Sequence, residues 1–245
     1  MTPGHGLRVA FITGVSKGLG AALARDLLDR GFAVVGIGRS AAASLEGPAF
    51  TLVHADLAQV ATLDGIVRRA FEEGAARSPV DAVLVNNAAA VEPVGTLGTL
   101  DADGIAASLA VNLVAPVILA NAFLGAFAGR PRTRVINVSS GLAVRALPGA
   151  GLYCVAKAGL EMLTAVAAAE AAPGTSAVSV RPGIIDTPMQ AALRGKTPDA
   201  LPPVAVFREF HASGRLQTPE DTARFIVERL VLGNPDSGAA VTYGA

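Results

Sequence analysis

Tryptophan is absent from the 245 residues, and only two tyrosines and one cysteine occur. A single cysteine, Cys154, excludes an internal disulfide and any multi-cysteine metal centre. The histidines His5, His54 and His211 show no ligand spacing, so no metal is expected. Charge is also scarce, at 16% of residues, with twenty basic side chains balanced by twenty acidic ones. The basic residues are scattered rather than striped, which excludes the electrostatic footprint of a nucleic-acid binder. The opening "MTPGHGLRVAFITG" lacks a basic region followed by a long apolar core and a small-residue cleavage site, so a cytoplasmic location is expected.

Hydrophobic residues are abundant at 51%, which argues for a folded chain with a sizeable core. The run at 109–128, "LAVNLVAPVILANAFLGAFA", is long enough to span a bilayer. It carries Asn112, Pro116 and Asn121 and has no second span beside it. A helix buried in the core or between subunits is the better reading, and no membrane association is expected.

Short apolar runs alternate with longer helical patterns. Strands are expected at 8–14, 33–39, 50–56, 81–87, 134–140 and 176–183, and helices at 19–31, 63–75, 105–128 and 153–171. Regular alternation predicts a single α/β domain over 1–245: a Rossmann-type, doubly wound parallel sheet with helices on both faces. The proline-rich stretch "KTPDALPPVAVF" at 196–207 reads as a long irregular insertion, a substrate cover extending over about 189–215.

Such a sheet binds ligands beyond the carboxyl ends of its strands. The first of these turns, "TGVSKGLG" at 13–20, makes Gly14, Ser16, Lys17, Gly18, Leu19 and Gly20 candidate diphosphate contacts: glycines permit a close backbone approach, and the following helix offers free amide donors. The second strand ends "GIGRS". Arg39, followed by Ser40, stands where an NAD-binding carboxylate is usual, and Lys17 adds a second cation, so NADPH/NADP+ is expected rather than NADH. Asp56 and Leu57 end the third strand, where a carboxylate could accept from an adenine amino group. The small residues of "NNAA", including Asn87 and Ala88, let a cofactor pass close to the backbone.

One of the two tyrosines, Tyr153, precedes Lys157 by four residues on an expected helix, which puts both on one face. An ammonium beside a phenol favours tyrosinate and should lower the tyrosine pKa. The same spacing also suits a half-buried ring and a solvated amine.

Taken together, "TGVSKGLG", "NNAA", Asn112, "NVSS", "YCVAK" and "RPGIIDTPM" resemble the short-chain dehydrogenase/reductase family over essentially the whole chain, with Ala89 where the family usually has glycine. The resemblance implies that Ser140 binds the substrate carbonyl, that Tyr153 is the general acid, and that Lys157 tunes the phenol and holds the nicotinamide ribose. It further implies that Asn112 anchors a water next to the lysine, that Thr187 holds the nicotinamide carboxamide, and that Pro182, Gly183 and Ile185 line the cofactor. The pattern looks most like the sepiapterin and benzil reductase branch, which implies an NADPH-dependent carbonyl reductase acting on a ketone or vicinal diketone. Thr242 stands where sepiapterin reductases have a pterin-binding aspartate, so a hydrophobic diketone is expected, against Leu147, Leu152, Ile184, Met189 and residues 198–207. Other oxidoreductases of the family, such as carrier-bound 3-oxoacyl reductases, remain alternatives, as does a non-catalytic NADPH-binding regulator. Apolar residues on several faces of the 105–128 and 153–171 helices, with the family resemblance, imply a homodimer or homotetramer.

Overall fold

The computed structural model describes residues 6–244. His5, one of the three histidines considered above, lies outside them. A single seven-stranded sheet runs in the order β3-β2-β1-β4-β5-β6-β7, and every neighbouring pair is parallel. Its strands are β1 (Arg8–Thr13), β2 (Ala33–Gly38), β3 (Phe50–His54), β4 (Asp81–Asn86), β5 (Thr133–Val138), β6 (Thr175–Arg181) and β7 (Ala240–Thr242). The helices are α1 (Gly18–Asp29), α2 (Val60–Ala76), α3 (Ala102–Leu109), α4 (Ala115–Phe127), α5 (Gly151–Ala169), α6 (Pro188–Arg194), α7 (Val204–Ala212) and α8 (Pro219–Ile226). After β3 the chain returns to the centre and builds outward in the other direction. The carboxyl ends of β1 and β4 therefore flank the crevice where doubly wound sheets bind ligands.

The central strands are buried on both faces, as continuous apolar runs require. Alternate residues of β1 serve two cores. Ala10 and Ile12 join Leu23, Leu27 and Ile226 on one face. Val9 and Phe11 meet Phe71, Phe123 and Phe127 on the other, where the Phe11 and Phe71 rings pack edge to face with centroids 4.8 Å apart. Truncating a ring as deeply held as Phe11 typically costs about 3–5 kcal/mol.

The apolar run at 109–128 lies, but for Ala128, within the continuous helix Ala102–Phe127, which is long and apolar enough to cross a membrane; so, contrary to the expectation of no second such stretch, is Gly151–Ala169. Leu119, Ala120, Phe123 and Phe127 nevertheless pack into the sheet's core, while Val114 and Val117 stay exposed. The helix opens into a π turn over Ala110–Val114. Pro116 has no N–H to donate to the carbonyl four residues back, that of Asn112, and the wider turn absorbs the defect.

Two further expectations need correction. The stretch at 196–207 is irregular as far as residue 203 but then enters α7, and with α6 before it the wider 189–215 region is more than half helical. Leu201 and Val204 are buried and anchor it. A seventh strand, β7, also escapes sequence reading: three residues at an edge carry too little periodicity to register.

Candidate active site

The strands end one or two residues earlier than their apolar patterns suggest, and the residues left over build the site. Gly14, Arg39, Asp56, Asn87, Ser140 and Gly183 all leave the sheet at its carboxyl edge and line one cleft of about 840 Å³. Tyr153 and Lys157 reach the same cleft from α5, and Ile184, Ile185, Thr187 and Met189 reach it from the segment after β6. The sequence-predicted cofactor, substrate and catalytic residues line this cleft, except Asn112 and Leu152. Leu152, expected in the pocket wall, is instead buried in packing. Of the 198–207 stretch, Val206 and Phe207 face the cleft.

The glycine turn is shaped for close contact. Gly14 and Gly18 have φ of 73° and 57°, a region side chains disfavour. A Cβ on Gly20 would lie 2.2 Å from the Gly14 carbonyl oxygen and 2.4 Å from Asn87 Nδ2, so α1 can start only where that residue has no side chain. Asn87 Nδ2 donates to the Thr13 carbonyl at 2.9 Å, while the Asn87 and Ala88 amides both donate to Thr13 Oγ1 at 2.9 Å. This lock between β1 and β4 was not anticipated; its only trace in the sequence is a threonine on the last residue of an apolar strand. Across the cleft, Thr187 lies next to Gly18, and its Oγ1 accepts weakly from the Gln190 amide at the start of α6. Asp56 Oδ1 accepts from the Ala58 amide. Lys17, Arg39 and Ser40 are exposed at the same end, and neither cation has a salt bridge among the described residues.

Asn112 stands behind the site. Its Oδ1 accepts from the Ala90 amide at 2.8 Å and its Nδ2 donates to the Ala90 carbonyl at 2.7 Å, clamping the loop that carries Ala88 and Ala89. Lys157 is buried, and its Nζ donates to the Val138 carbonyl at 2.7 Å. The ammonium sits 5.4 Å from the centroid of the Tyr153 ring. Burial pushes the Lys157 ammonium down to about 8. It pushes the Tyr153 phenol up to about 12, with the Ser140 hydroxyl pulling the other way. The expected acidification of Tyr153 by Lys157 is therefore not what this structure shows: the ammonium is directed at a backbone carbonyl, and desolvation outweighs it.

A second network supports the floor and was also missed. Glu161, one turn beyond Lys157, accepts from Ser139 Oγ at 2.7 Å and from Arg181 through two bonds of 2.8 and 2.7 Å. Burial would raise the Glu161 carboxyl, but the Arg181 and Ser139 hydrogen bonds hold it below the usual carboxylate range. One carboxylate thus ties together the ends of β5 and β6, just before Ser140 and Pro182. Among the described residues no cluster suited to a metal ion occurs.

A parallel sheet whose glycine turn faces a serine, a tyrosine and a lysine across one cleft defines a dinucleotide-dependent oxidoreductase. The family model for short chain dehydrogenases matches residues 8–198, and the chain belongs to that family. It is 29% identical over 231 residues to a benzil reductase ((S)-benzoin forming) of Bacillus subtilis, covering 93% of this chain and 95% of the relative. A sepiapterin reductase of Meriones unguiculatus is 33% identical over 213 residues, covering 80% and 81%. Among solved structures, a short chain dehydrogenase from Burkholderia cenocepacia in complex with NADP superposes with a TM-score of 0.76 at 27% identity, covering 98% of this chain and 89% of that one.

Proposed function

We propose that the protein is an NADPH-dependent carbonyl reductase acting on a ketone or vicinal diketone. The observation that carries the reading is the convergence of Ser140, Tyr153 and Lys157 on one cleft with the glycine turn. The glycine cradle suits a dinucleotide, since side chains at Gly14, Gly18 or Gly20 would be strained or would collide. Gly14, Ser16, Lys17, Gly18, Leu19 and Gly20 would hold its diphosphate, Arg39 and Ser40 its 2′-phosphate end, and Asp56 and Leu57 its adenine. Asn87, Ala88, Pro182, Gly183, Ile185 and Thr187 would flank the nicotinamide half. Two unpaired cations, Lys17 and Arg39, favour the phosphorylated coenzyme. When bound, the coenzyme supplies a hydride to the carbonyl carbon.

Ser140 donates a hydrogen bond to the substrate oxygen and opposes the charge that develops there. Tyr153 then delivers its proton to that oxygen. A phenol pushed up to about 12 is fully protonated at neutral pH, which is the state a general acid needs in the direction of reduction. Lys157, held cationic below about pH 8, stabilises the tyrosinate that remains. Leu147, Ile184 and Met189 form apolar walls suited to a hydrophobic carbonyl compound. The similarity to benzil and sepiapterin reductases supports that substrate class. Thr242, on β7, gives a pterin no carboxylate.

Tyr153→Phe tests the assignment. Its turnover with a diketone such as benzil should fall by about 10²–10⁴-fold while NADPH still binds by calorimetry; an active mutant would overturn the mechanism. We also infer a homodimer or homotetramer formed through α4 and α5, whose outer faces expose Val117, Val155, Met162 and Val166. Sedimentation showing only monomer would end that reading.

A further inference from the structure

The substrate end of the cleft mixes apolar walls with a few polar and charged groups. Leu147, Met189, Leu193, Phe207 and Phe210 line it, and two further charged groups face it besides Lys157. Glu92 is one, and it is neutralised by an ion pair with Lys196. The other is Arg145, on the loop between β5 and α5. Arg39 and Arg145 are the two arginines in the cleft lining, and among the described residues neither side chain has a hydrogen-bond or salt-bridge partner. Arg39 stands at the dinucleotide end, and Arg145 at the other.

The loop that carries Arg145 is fixed at both ends. Ser140 Oγ accepts from the Leu142 amide at 3.2 Å and starts a short 3₁₀ turn, Gly141–Ala143. Beyond Arg145, the Ala150 amide donates to the Leu147 carbonyl at 3.0 Å, and the Gly95 amide donates to the Gly149 carbonyl at 2.9 Å. Arg145 thus hangs from a structured loop bounded by the two residues that handle the carbonyl, Ser140 and Tyr153. A guanidinium presents a planar fork of donors that matches a carboxylate, and Arg145, though exposed, offers that fork on the lining of the cleft. A neutral diketone fits the same walls but leaves the guanidinium without an anion.

We propose that Arg145 anchors a carboxylate on the substrate, so that the preferred substrates are oxo acids: apolar ketones carrying one carboxylate. The inference rests on the carbonyl-reductase reading above and names the substrate class of that site. Arg145 positions the substrate and takes no part in proton or hydride movement. Its contribution therefore appears in kcat/KM for anionic ketones and is absent for neutral ones.

The test uses two oxo acids, benzoylformate and 4-oxocyclohexanecarboxylate, each beside its methyl ester, with NADPH oxidation as the readout. The wild-type protein should reduce at least one acid about tenfold more efficiently than its ester, and the preference should shrink as salt rises. Arg145→Leu should lose the preference while keeping its rate on the esters, and Arg145→Lys should recover part of it. Equal efficiency on acids and esters, or a preference that survives in Arg145→Leu, would overturn the Arg145 assignment alone. Failure to oxidise NADPH with any of the four compounds, or with benzil, would overturn the carbonyl-reductase reading and this inference with it.

Discussion

The two ends of the cleft are built by different means. At the dinucleotide end the surface is shaped by glycine backbone: a side chain on Gly14, Gly18 or Gly20 would press on Ala88, Thr187 or Asn87, and hydrogen bonds between Thr13 and Asn87, each pairing a side chain with backbone, lock β1 to β4. At the substrate end the contacts belong to side chains on α6 and α7, tied across the cleft by the exposed Glu92–Lys196 pair. Backbone contacts leave no room for substitution, whereas side-chain contacts exchange without moving the frame.

That contrast predicts a graded series of effects. The largest belongs to Gly20→Val, whose Cβ would press into the Gly14 carbonyl. It should cost about 1–3 kcal/mol in thermal unfolding and abolish NADPH binding by calorimetry. Gly125→Ala, on α4 outside the cleft lining and with nothing within 4 Å, should weaken neither. If Gly20→Val binds coenzyme normally, the backbone-built end does not exist as described. Next comes Arg39→Asp, which would remove the proposed charge-assisted contact to the 2′-phosphate, about 1.5–3 kcal/mol. Efficiency with NADPH should fall at least tenfold while NADH use is unchanged or improved, as measured by steady-state kinetics with both coenzymes.

The pH dependence follows from two buried groups. Lys157 is pushed down from 10.5 to about 8, so between those values the unfolded chain holds the extra proton and stability should rise with pH. Tyr153 is pushed up from 10.0 to about 12, so in that higher window the folded chain holds the extra proton and stability should fall. Turnover in the direction of reduction should decline above about pH 8 as the Lys157 ammonium is lost. A profile that stays flat through pH 10 would contradict the role given to Lys157. The smallest effect is expected for Lys196→Met: an exposed pair contributes at most about 1 kcal/mol, so the melting temperature should hardly move. Any change should be confined to KM for the carbonyl substrate.

Much of the site was legible because its residues sit at strand ends, where the apolar pattern stops and glycine, asparagine or serine begins. Tyr153 and Lys157 were legible as neighbours from their spacing on one helix, and as functional residues only from the whole set of motifs. Glu161 and Arg181 were not, since nothing local announces that a carboxylate one turn past Lys157 will meet an arginine from the neighbouring strand. Arg145 escaped for a similar reason. In the sequence it is one exposed cation among twenty basic residues, and only the fold shows that it faces the substrate end without a partner.

The sequence alone determined the alternation of strands and helices, the glycine turn and the Tyr153–Lys157 spacing, because each follows from periodicity within a few residues, while the roles of Ser140, Tyr153 and Lys157 came from the motifs' resemblance to the family. Tertiary structure alone decided how burial sets the two pKa values, which long-range hydrogen bonds brace the site, and how α6 and α7 close it. Those outcomes depend on solvent exclusion and on distances between segments far apart in the chain, which no local pattern encodes.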